Sequence, residues 1–177
     1  VAEYGGSVDI DTDGSETSVT VGLLRVGGED VPANTTGVEA VDLRNAATAG
    51  LVAGTVMGAI LQLFSGQIGI IGGLYGVQTV TVGWITHLFH SVVFAILFAA
   101  LWNRYRSNPS IERVFEPTLL GAGFGFVLWL VAAGIVMGVW LNLVGIGSPV
   151  PNLGFVSLAG HLSWGGTLGV VYTLLPD

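Results

Sequence analysis

No Asp, Glu, Lys or Arg occurs from Ala46 to Asn103, and none from Pro117 to Pro176. Each of these blocks holds about 60 residues, and a helix crossing about 30 Å of hydrocarbon takes about 20 residues, so each block accommodates two spans and a connection. The pattern predicts an all-α membrane body, a bundle of four transmembrane helices at about 46–65, 82–102, 118–141 and 154–175. Trp84 and Trp102 stand near opposite ends of the second span, where they suit the two interfacial belts. Pro117 suits the first turn of the third helix, because its missing N–H has no partner there in any case. Gln67 to Val80 is apolar but glycine-rich and reads as a short interfacial or re-entrant stretch; Ser148 to Asn152 reads as a turn.

Residues 1–45 follow a different pattern. Val8, Ile10, Val19, Val21 and Leu23 alternate with polar residues on either side of Asp13-Gly14, which predicts a small β-hairpin in an acidic soluble segment, followed by the membrane domain at 46–177. Asp9 to Gly14 matches the opening of a calcium loop, but Thr20 stands where the bidentate glutamate belongs, so an acidic turn is the ordinary reading. Asn34-Thr35-Thr36 has the form of a glycosylation acceptor.

Charge sets the expected orientation. Nine of the twelve acids precede Leu43 against the single Arg25, whereas Arg104, Arg106 and Arg113 fall between the second and third spans. Basic loops stay on the cytoplasmic side, so a multi-pass cell-membrane protein with both termini in the cytoplasm is expected. The first forty residues lack a basic region followed by an apolar one, and no signal peptide is expected there. All five basic residues are arginine, which excludes Schiff-base and other lysine chemistry. The absence of cysteine excludes disulfides, thiolate metal sites and iron–sulfur clusters. An acidic, lysine-free aqueous part in a chain whose mean hydropathy is +0.75 is similar to proteins of extreme halophiles and offers nothing to nucleic acid.

Within the spans the commonest signal is glycine four residues apart: Gly50, Gly54 and Gly58; Gly121 and Gly125; Gly134 and Gly138; Gly165 and Gly169. Such faces let helix backbones approach closely, which is what holds helices together in lipid. Candidate chemistry is confined to three histidines. His87 and His90 share a face of the second span, and His161 lies at a similar depth in the fourth. A neutral imidazole can bond a neighbouring helix, its ordinary role; ligate haem b as one of a pair from the second and fourth spans; contact a quinone; or join a three-histidine metal site. No carboxylate in the spans is present to orient metal ligands.

A weak duplication, with Gly50 to Gly58 and Gly121 to Gly125 each opening a pair of spans and His90 or His161 following, predicts two tandem helical hairpins. Ala49 to Met57, His87 to Trp102, Gly121 to Trp129 and Gly160-His161-Leu162-Ser163-Trp164-Gly165 resemble small four-helix membrane proteins of haloarchaea over roughly residues 46 to 175. The resemblance implies a fold and a membrane address and carries no catalytic residue. The function expected is that of a non-catalytic subunit among other integral membrane subunits, foremost in a respiratory or electron-transfer complex, without a cofactor of its own. The alternative is a small haem b or quinone module using His87 or His90 with His161; a channel or transporter component comes third, since the spans offer only scattered Ser, Thr, Asn and Gln.

Overall fold

The computed structural model describes residues 6–13, 16–23, 40–106 and 117–175. The Asn34 acceptor, the Asp13-Gly14 turn itself and most of the arginine-bearing loop lie outside the described residues. The chain divides into two units, Val1–Thr35 and Thr36–Asp177. In the first, β1 (Gly6–Asp13) pairs antiparallel with β2 (Glu16–Leu23), Val8 opposite Val21 and Ile10 opposite Val19.

The second unit is helical. It consists of α1 (Ala40–Phe64), a short α2 (Ile68–Gly72) continued by a 3-10 turn (Gly73–Tyr75), α3 (Val80–Arg106), α4 (Pro117–Leu143) and α5 (Phe155–Leu174). Among the described residues, three helices are long and apolar enough to cross a membrane: Leu43–Phe64, Val80–Arg104 and Pro117–Leu143. The predicted fourth span corresponds to α5, which does not join that set. Its sequence is diluted by four glycines and by Ser157, His161, Ser163 and Thr167. The physical reason is its position: α5 lies between α1 and α4 and packs on both, so much of its surface meets protein and need not dissolve in lipid. α1 also starts earlier than expected, at Ala40, so that Arg44 and Asn45 fall within its first turns.

The glycine stripes are internal seams. A Cβ at Gly50 would strike Ala95, one at Gly54 would strike Ser91 and one at Gly58 would strike the Trp84 ring, so the first stripe seats α3 on α1. Gly121 and Gly125 face the Gly165 and His161 carbonyls, joining α4 to α5 backbone to backbone. Gly134 and Gly138 make room for Leu153 and the Pro149 carbonyl of the α4–α5 loop. Trp84, expected in an interfacial belt, is half-buried in the α1–α3 seam. The buried residues Ala46, Ala49, Ala53, Met57 and Leu61 line one face of α1 at three- and four-residue steps and form the centre of the core with Phe98, Trp164 and Leu168. The opposite faces remain apolar and exposed, with Leu51, Val56, Ile85, Phe89, Phe126 and Ile135 among them, as a lipid-facing surface requires.

α3 and α4 touch little. They approach where Phe98 and Phe124 pack with ring centroids 5.9 Å apart, next to Tyr172 and Trp164 of α5. Beyond this level the middle of α4 widens into a π-helical segment, Trp129–Met137, and the two helices part. Asn152 N–H donates to the Gly134 carbonyl at 2.8 Å, tying the α4–α5 loop to the widened segment. The Asn142 side-chain amide closes the same loop by donating to the Ser148 carbonyl at 2.7 Å.

Candidate functional site

Where α3 and α4 part, a cavity of about 320 Å³ opens. Its α1, α2 and α3 walls are largely apolar, with Met57, Leu61, Ile71, Leu74 and Phe94; across from them the π-helical segment presents Ala132, Ala133, Val136 and Met137. All three histidines line it. This volume falls at the lower end of the roughly 300–1,000 Å³ typical of small-ligand sites, and apolar walls with a few convergent polar groups are their usual composition.

Each imidazole is positioned differently. His87, buried on α3, donates Nε2–H to the Gly54 carbonyl at 2.9 Å. That reach depends on the bare glycine stripe of α1, since side chains there would hold α3 away. His90, one turn further along the same helix, is half-buried and has Nε2 3.2 Å from the Tyr75 hydroxyl, with the two ring centroids 6.0 Å apart. Tyr75 belongs to the 3-10 turn after α2, so the glycine-rich stretch between the first two long helices supplies a wall of the cavity. Trp140 Nε1–H donates to the Leu74 carbonyl at 2.9 Å and straps that wall to the end of α4. His161 on α5 donates Nδ1–H to the Ser157 carbonyl one turn back at 2.7 Å, with Ser157 Oγ 3.4 Å away.

A buried polar clasp lies beside the histidines. Trp164 Nε1–H donates to Ser91 Oγ, and the Ser91 hydroxyl donates to the Gly50 carbonyl at 2.8 Å, so α5, α3 and α1 are joined through one hydroxyl. With no water in the hydrocarbon region to compete, such an interhelical link fixes the relative depth of the three helices.

The structure thus brings His87, His90 and His161 to one cavity and leaves the nine glycines of the stripes in the packing seams. Among the described residues no group of three His, Cys, Asp or Glu side chains is placed to hold a metal ion. Gly50, Gly54 and Gly58 of α1 are closed against α3, and Gly165 and Gly169 of α5 against α4. Sequence reasoning missed Tyr75, Trp140, Trp164 and the π-helical wall. Tyr75 carried a signal, being the one aromatic residue between Gln67 and Val80; the π segment carried none beyond the small run Ala132-Ala133-Gly134.

No protein-family model, curated protein or solved structure matches the chain.

Proposed function

We propose that this chain is a four-pass integral membrane protein whose cavity between α3 and α4 binds a ring-bearing lipophilic ligand of the quinone class, as a subunit of an electron-transfer assembly. The observation that carries the reading is the convergence of all three intramembrane histidines on one apolar cavity of about 320 Å³. A flat ring fits such walls by burial of its faces, and imidazoles are the groups that meet its oxygens. Haem b is a weaker fit. Among the described residues no Arg lines the cavity to meet its propionates, and His87 already commits Nε2 to Gly54. Conduction is weaker still, because one turn beyond Phe94 and Leu128 the space between the helices is occupied by Phe98 and Phe124.

The test is saturable quenching of tryptophan fluorescence by a short-chain quinone added to the purified chain in lipid nanodiscs, since Trp140 and Trp164 both line the cavity. Ala132→Phe, which puts a ring into the cavity from the π-helical wall, is expected to weaken that binding by about tenfold or more, equivalent to about 1.4 kcal/mol. Quenching that does not saturate, or an unchanged midpoint in the variant, would reject the site.

In the same reading α5 is the fourth span, and the arginine-bearing loop and both termini face the cytoplasm. Because the chain has no cysteine, a single Ser107→Cys substitution reports on this loop. A membrane-impermeant maleimide is expected to label it only after cells are lysed, and labelling in intact cells would reverse the topology.

A further inference from the structure

The hydrogen bonds already made around the cavity determine what kind of polar group it can still receive. A backbone carbonyl can only accept, so the contact of His161 Nδ1 with the Ser157 carbonyl at 2.7 Å places the proton on Nδ1. In the neutral ring Nε2 then carries a lone pair. By the same argument the contact of His87 Nε2 with the Gly54 carbonyl at 2.9 Å leaves the lone pair on His87 Nδ1. Neither remaining nitrogen has a hydrogen-bond partner among the described residues.

Several neighbouring donors are spent. The Ser91 hydroxyl donates to Gly50, Trp164 Nε1–H to Ser91, and Trp140 Nε1–H to Leu74. The one contact between the Tyr75 hydroxyl and His90 Nε2 uses one of that pair's two donors and leaves the other, and the Ser157 hydroxyl lies beside a His161 Nδ1 that is itself a donor. The side-chain amides of Gln67 and Asn152 also line the cavity, but an amide offers donor and acceptor alike and so favours neither. What the fold leaves over at His87 Nδ1 and His161 Nε2 is therefore acceptor capacity in apolar surroundings, where an unmet acceptor is costly.

We infer that the cavity recognises an aromatic O–H donor, a phenol or the quinol form of a quinone, through the lone pair of His161 Nε2, and discriminates against ethers of the same shape. The inference rests on the reading of the cavity as a ligand site and sharpens its ligand class. A quinone carbonyl presented to an imidazole lone pair meets acceptor with acceptor. A quinol O–H meets it with a proton.

The experiment compares para-butylphenol with its methyl ether, molecules of nearly equal shape that differ in the donor, by calorimetric titration of the full chain in lipid nanodiscs with empty nanodiscs as the blank. The phenol is expected to bind about tenfold more tightly, the worth of one hydrogen bond in a site that cannot otherwise satisfy its acceptor. In His161→Leu the ratio is expected to fall towards one. Equal binding of phenol and ether to the unaltered chain overturns the inference even where a quinone still quenches tryptophan saturably, in which case the cavity reading itself stands. Failure of phenol, ether and quinone alike overturns both. A preference retained in His161→Leu overturns the assignment to His161 Nε2, and the comparison on the unaltered chain remains decisive if that variant does not fold.

Discussion

Gly165→Ala is expected to drive α5 away from α4 and to cost about 3 kcal/mol of stability or more, at or above the upper end of the range for overpacked sites. A methyl group built on Gly165 falls on the Gly121 carbonyl oxygen, and one built on Gly121 falls on the Gly165 carbonyl oxygen. The obstacle in each case is backbone. A flexible side chain could rotate aside, but a helical carbonyl can yield only if the whole helix moves. The same seam continues at Gly125 against the His161 carbonyl and at Gly169 against the Pro117 carbonyl, so displacement at one point loosens contact along both helices. The control sits on α4, two residues from Gly121: Gly123 has nothing within 4 Å of an added Cβ, and Gly123→Ala is expected to be neutral or slightly stabilising through helix propensity. Unfolding of the detergent-solubilised protein by increasing dodecyl sulfate, followed by far-ultraviolet circular dichroism, separates the two. Equal midpoints for Gly165→Ala and Gly123→Ala would mean that α4 and α5 do not meet at these glycines.

The second large effect is expected at Gly83, where α2 rests on α3. A Cβ there falls on the Ile68 carbonyl oxygen, and Gly72 on the opposite side faces the Val77 carbonyl and the Gly83 nitrogen. Gly83→Ala is expected to lift α2 and the following 3-10 turn from α3 at a cost of about 2 kcal/mol. Because that turn carries Tyr75, the contact of its hydroxyl with His90 Nε2 and the Trp140 strap to Leu74 are expected to fail together, leaving the cavity without one wall. Hydrogen exchange reads this directly: amides between Ile68 and Val77 should lose protection while those of α1, α4 and α5 keep theirs. Gly69→Ala, whose added methyl would have its nearest neighbours at 3.9 Å, should leave exchange unchanged. Unaltered protection in Gly83→Ala would show that the stretch is not seated on α3 in the membrane.

The two expectations divide the labour of the fold. The seams set by Gly50, Gly54 and Gly58 and by Gly121, Gly125, Gly165 and Gly169 build the bundle, whereas Gly72 and Gly83 attach a small cap to it. Gly66 and Gly76 serve that cap in another way, holding φ at +64° and +81° where its backbone turns, a region that side chains with a Cβ disfavour. The cavity draws on both parts, His87 and His161 from the bundle and Tyr75 with His90 at the join.

Three of the long helices were legible because lipid imposes a local rule. A spanning segment must be about 20 residues of uncharged, mostly apolar sequence, and that property is carried by consecutive residues. The expected spans 46–65, 82–102 and 118–141 accordingly fall on Leu43–Phe64, Val80–Arg104 and Pro117–Leu143. The helix at Phe155–Leu174 obeys a different rule, since its neighbours are α1 and α4 and its glycines and hydroxyls answer to them. The three histidines were legible as the candidate residues, and all three imidazoles line one cavity.

Pairing was beyond the reach of the sequence. A glycine every fourth residue states that a face is bare and does not state what lies against it; Gly121 meets Gly165 and Gly138 meets Pro149 for reasons held in other parts of the chain. The widening of α4 at Trp129–Met137, the donation of Trp164 through Ser91 to Gly50, and the choice of which imidazole nitrogen is spent on a carbonyl are likewise relations between residues distant in sequence. Sequence by itself determined the apolar lengths, the charge asymmetry and the small set of residues able to do chemistry, because each is a sum over neighbouring positions. Tertiary structure alone decided the seams, the cavity and the acceptor character left at His161, because those depend on which backbone groups come within hydrogen-bonding reach once the helices have packed.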